Sequence, residues 1–177
     1  MLSAMTTQTT RDLHRLHFSL RALGLAGLIA GTLDILDDIV FEAHFGVSAL
    51  TIGQFIASGI LGRSSFNGGW TTGALGFAIH FLVAFTATAV FTAAATRWPA
   101  MLRRPFLFGP LYGLVVYVVM NYVVVPLSRI PRPSHSVASV LNLLFAHLVF
   151  VGLTIALVTR WSYARQGSLV ASTHEPG

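Results

Sequence analysis

Of the 177 residues, 54% are apolar and only 10% charged, with a mean hydropathy of +0.73, whereas a soluble domain carries roughly a quarter charged residues. That excludes an ordinary soluble globular domain, and the absence of cysteine excludes disulfides, thiolate metal sites and cysteine nucleophiles. The net charge of +5 comes from Arg alone, so there is no Schiff-base or phosphate-cradling lysine; the arginines flank apolar runs, which reads as membrane orientation and not as nucleic-acid binding.

Residues 1–18 read as a cytoplasmic N-terminal segment, polar at first and then a short surface helix over Arg11–Phe18. The apolar run Leu23–Leu33 leads directly into Asp34 with no small-x-small cleavage site, so 20–41 is expected to be a retained first span rather than a signal peptide. A bilayer core of about 30 Å needs about 20 helical residues. Three further segments meet that length: 71–96, 105–127 and 138–160.

The segment 44–62 is long enough to cross but rich in glycine and small polar residues. Arginine placement arbitrates. With four spans and both termini cytoplasmic, Arg11, Arg15, Arg21, Arg97, Arg103, Arg104, Arg160 and Arg165 lie inside, against Arg63, Arg129 and Arg132 outside. A fifth span would leave six against five. The expectation is therefore an all-α, integral membrane four-helix bundle over 19–165, with an interfacial or re-entrant helix at about 47–62 and a flexible cytoplasmic tail over 166–177. Trp70, Trp98 and Trp161 fall at the expected span boundaries, where amphipathic rings settle.

Small residues mark faces for close helix approach: Gly24, Gly27 and Gly31, then Gly69, Gly73 and Gly76, then Gly109 with Gly113. The same faces are candidates for a homo-oligomer or a membrane-protein partner. The lipid bilayer is the expected environment.

Ionisable groups at membrane depth are the best functional pointers. Asp12 and Glu175 lie in the tails, whereas Asp34, Asp37, Asp38 and Glu42 cluster near the end of the first span. Asp34 shares the face of Gly27 and Gly31, Asp38 follows one turn later, and Asp37 is expected to point elsewhere. His80 shares the face of Gly73 and Gly76; Asn121 lies on the third span, and Asn142 and His147 on the fourth. Counted from the cytoplasmic boundary at about 1.5 Å per residue, Asp34, His80, Asn121 and His147 fall within about 7 Å of one another in depth. They are the candidate site, a buried polar layer, with Asp38 and Asn142 as secondary members. The layer serves either as interhelical packing glue in a structural or adaptor protein or as a proton- or cation-responsive group. His44 and His135 would add titratable groups on the outer side.

Catalytic readings are poorer, and the sequence leans away from an enzyme. The Asp34-Ile-Leu-Asp37-Asp38 string lacks the second, facing acidic cluster that a magnesium pyrophosphate site or an intramembrane aspartyl protease needs. Ala57-Ser58-Gly59 is similar to a rhomboid-type nucleophile turn but lacks its leading glycine. No cofactor is expected; an alternative is haem b held by His80 and His147 in an electron-transfer protein.

Gln54–Gly62, Phe66-Asn-Gly-Gly69, Ala74–His80, Met120–Ser128 and Ala146-His147 with Val151-Gly152 together resemble an uncharacterised, YagU-like family of four-span proteobacterial inner-membrane proteins. The resemblance covers about residues 22–160. It implies the fold and an inner-membrane location and brings no catalytic role with it.

Overall fold

The computed structural model describes residues 19–131 and 136–172, and every element among them is helical. Helix α1 spans Leu20–Ala43 and α2 spans Ala49–Leu61. A 3-10 turn, Gly62–Asn67, leads to α3, Gly69–Arg97. Helix α4 covers Pro105–Leu127 and α5 starts at Val137, its final α-helical stretch ending at Ser172.

Local chemistry explains the boundaries. Ser19, Ser48 and Ser136 cap α1, α2 and α5, each hydroxyl accepting a backbone N–H three residues on. Gly62, at φ +65°, ends α2 in a left-handed conformation that a Cβ would oppose. Trp70 and Trp98 bracket α3.

Three helices, α3, α4 and the Val137–Arg165 part of α5, are long and apolar enough to cross a membrane. Helix α1 has the length, 24 residues, but Arg21, Asp34, Asp37 and Asp38 interrupt its apolar character. Helix α2 has 13 residues, which is about 20 Å of helix, short of a bilayer core. The tail expected from 166 is helical as far as Ser172. Asp12, Arg132, His135 and Glu175, together with the whole of the expected 1–18 segment, lie outside the described residues.

Glycines decide which helices touch. Gly27 and Gly31 of α1 face Phe85, Phe81 and Ala84 of α3. Gly109 and Gly113 of α4 meet the backbone of α5 at His147, Gly152 and Leu153, and Gly53 of α2 meets Gly73 and Gly76 of α3. A Cβ at Gly113 would collide with the His147 carbonyl, so backbone lies directly on backbone. Gly24 and Gly69, expected on the same stripes, have no such neighbour: Gly24 faces open space, and Gly69, at φ +55°, belongs to the turn opening α3.

The pairings α3 on α1, α1 on α5 and α5 on α4 are thus close and antiparallel. Helices α3 and α4 are consecutive in the chain yet approach mainly through side chains, Phe91 edge-on to Tyr112 with ring centroids 5.1 Å apart and Tyr112 Oη donating to Ala87 O at 2.6 Å. No glycine pair draws their backbones together. Towards Arg97 and Arg103 this seam is filled by Phe91, Ala95, Met101, Leu102, Ile155 and Ala156; towards α2 it is hollow.

Candidate functional site

The hollow is a cavity of about 340 Å³. Helices α3 and α4 form its sides, α1 and α5 its back, and Phe55, Ile56, Gly59 and Ile60 of α2 its cover, tied down where Arg129 N donates to Gly59 O at 3.0 Å. Among the described residues its polar lining is Asp34, Asp38, His80, Asn121, Ser128 and His147; all other lining side chains are apolar. Asp34, His80, Asn121 and His147, which lie on four different helices, therefore share one space.

They do not bond to one another. His80 Nε2 donates to Gly31 O at 2.9 Å and His147 Nδ1 donates to Leu143 O at 2.9 Å. A carbonyl only accepts, so His80 carries a proton on Nε2 and His147 on Nδ1, and Nδ1 of His80 and Nε2 of His147 are the nitrogens not engaged by these bonds. Asn121 Nδ2 donates one turn back to Tyr117 O at 2.9 Å. Asp34 and Asp38 make no hydrogen bond or ion pair among the described residues. Both imidazoles are within electrostatic reach of Asp34 without touching it.

Asp37, expected to point elsewhere than Asp34 and Asp38, is not among the residues lining the cavity: Asn142 Nδ2 donates to its Oδ2 at 2.9 Å, fastening α5 to α1 beside it. Helical phase from Gly27 and Gly31 selected Asp34 and Asp38 and missed this partner because α5 approaches α1 from a second side. Gln54, only 6% exposed, was also missed; its Nε2 donates to Gly69 O at 3.2 Å and fixes α2 to the start of α3.

Two wide turns frame the site. Met120–Val124 in α4 and His147–Leu153 in α5 are π-helical, so Asn121 lies inside one and His147 opens the other. The α4 turn lies just before Pro126, whose missing N–H would break an α-helical ladder there. In α5 the widened turn is met by Thr154 Oγ1, which donates to Val149 O at 3.2 Å. No sequence pattern marks the α5 turn.

Ser58 is fully buried and donates to Phe55 O at 2.5 Å, with no imidazole bonded to it among the described residues, so it is a packing hydroxyl in α2. Among the described residues no three His, Asp or Glu side chains converge on a point that could hold a metal ion. The two histidines that would hold haem line the same cavity, but His80 Nε2 is already engaged by Gly31 O. No family model matches the chain, and neither the curated proteins nor the solved structures contain a significant match.

Proposed function

We propose that the protein is a four-span bundle of a bacterial inner membrane, both termini cytoplasmic and α2 on the outer side, in which Asp34, with His80, Asn121 and His147, forms a proton-responsive site. One observation carries this reading: Asp34 and Asp38 border an apolar cavity with no hydrogen bond or ion pair among the described residues, and the imidazoles of His80 and His147 lie within electrostatic reach of Asp34. Packing glue needs partners, because an interhelical hydrogen bond contributes only about 0.6–2 kcal/mol and an unpaired charge at membrane depth costs more. Asn142–Asp37 and His80–Gly31 are such glue. Asp34 and Asp38 are not, and a carboxylate that exchanges protons with the cavity accounts for them.

The arginine asymmetry and the resemblance to the YagU-like family support the membrane placement, and the 13-residue length of α2 supports four spans over five. Reporter fusions after Arg97 and after Arg165 should both report cytoplasm; opposite sides would defeat the topology. For the site, the protein in mild detergent is taken through a pH jump with an indicator dye. Wild type should exchange protons that Asp34→Asn removes and that His80→Gln and His147→Gln reduce. An unchanged proton count in all three variants would return the layer to a purely structural role.

A further inference from the structure

We infer that the cavity between α3 and α4 binds an organic cation with an apolar body, of the size of an aryl- or alkylammonium ion; this names a ligand class for the proton-responsive site and rests on that reading. At about 340 Å³ the space has the volume of a small-molecule site, typically about 300–1,000 Å³.

Among the described residues the wall carries carboxylates and imidazoles but no Arg: helix α1 presents Asp34 and Asp38, with Asp37 at the margin held by Asn142; α3 presents His80 and α5 presents His147; α2 and α4 present no titratable side chain. When the imidazoles are neutral the carboxylates are the charges left in the interior, and a low-dielectric space favours a cation or a proton beside them.

A bare metal ion suits the space poorly, since hard cations take six or more oxygens and no metal-sized cluster forms among the described residues. An ammonium ion carrying hydrocarbon matches both parts of the lining. Its charge sits at Asp34 and Asp38, its body lies against Ile56, Val83 and Val151, and the Phe55 ring adds a cation–π surface. A second observation points the same way: His147 is only 8% exposed and borders the cavity, and its Nε2 makes no hydrogen bond.

The test uses the full chain in mild detergent and two probes of the same shape, phenyltrimethylammonium, permanently charged, and tert-butylbenzene, uncharged, with calorimetric heats corrected against empty micelles. The cation should bind once per chain and the neutral probe about tenfold more weakly or not at all. Asp34→Asn should weaken cation binding about tenfold, and Val83→Phe, which fills the space, should abolish it. Affinity should fall as the pH is lowered, because protons compete with the cation for the carboxylates.

No heat from phenyltrimethylammonium, or equal binding of the two probes by wild type, overturns the inference without recourse to any variant. Undiminished binding by a folded Asp34→Asn, Asp38→Asn double variant also overturns it. Pairing each titration with the pH-jump proton count separates the two ideas: proton exchange through Asp34 with no cation binding defeats the ligand assignment alone. Cation binding without Asp34-dependent proton exchange defeats the proton reading alone.

Discussion

The arginine-rich end of the protein and the end covered by α2 are built from the same helices and solve opposite problems. At the first, Ala22, Ala26 and Ala30 of α1, Thr88, Phe91 and Ala95 of α3 and Ile155, Ala156 and Thr159 of α5 are all essentially inaccessible. Small side chains let the backbones close in, and Phe91 and Tyr112 fill the seam towards α4. At the second, carboxylates, imidazoles and two π turns occupy the corresponding positions and the seam stays open. In lipid, where tails are as apolar as leucine, packing and hydrogen bonds hold helices together. The difference therefore assigns stability to one end and leaves the other free to carry polar groups that contribute little to it.

The sharpest way to break this contrast is to attack the one glycine crossing that spans both ends. Gly113→Leu should drive a side chain into the His147 backbone, which cannot swing aside as a side-chain tip can. Its cost should exceed about 3 kcal/mol, above the usual range for overpacking, and appear as loss of monodisperse protein on size exclusion. Gly27→Ala is the milder contrast, because its contact is a side chain, the Phe85 ring, and not backbone. If both variants behave alike, the glycines are not writing the contacts.

Next comes the packed end. Phe91→Ala should lower the unfolding free energy by about 3 kcal/mol, the low end for such truncations because hydrophobic transfer adds little between helices in lipid. The fall should be visible in the thermal midpoint by circular dichroism. A loss below about 0.5 kcal/mol would mean that the filled seam is not what stabilises the protein.

Asn142→Ala should cost about 0.6–2 kcal/mol through loss of the Asp37 bond, and Asp37→Asn less, since an amide oxygen still accepts. The smallest effects belong to the hollow end: Asp34→Asn and Val83→Phe should shift the thermal midpoint little or upward. A large destabilisation by Asp34→Asn would show that the carboxylate has a structural partner and would erase the distinction between the ends.

Much of this was legible in the residues and some was not, for physical reasons. The helix limits followed from apolar length and tryptophans; 105–127 coincides with α4, and 71–96 lies inside Gly69–Arg97. Depth counting at a fixed rise brought Asp34, His80, Asn121 and His147 to one level, because rise per residue barely varies between helices. Azimuth was harder. A single helix's phase says which residues share a face but not which neighbour that face meets, so Asp37–Asn142 and the α3–α4 seam were invisible. Gly24 failed because one stripe of small residues needs a partner stripe at the same height. The π turn at His147–Leu153, which lies against Gly109 and Gly113, was invisible because no residue pattern in that stretch marks it.

That π turn also bears on the history and editability of the chain. A π segment holds about one residue more than the α-helix it replaces, so α5 accommodates what amounts to a one-residue insertion within His147–Leu153. Removing one residue there would restore α geometry while the turns on either side, already in register across the bulge, keep their phase, so Asn142 would stay opposite Asp37 and Ile155, Ala156 and Thr159 would keep their places. The change would be confined to His147–Leu153, which makes this segment the place where a one-residue change of length would reshape the cavity wall without disturbing the packed end.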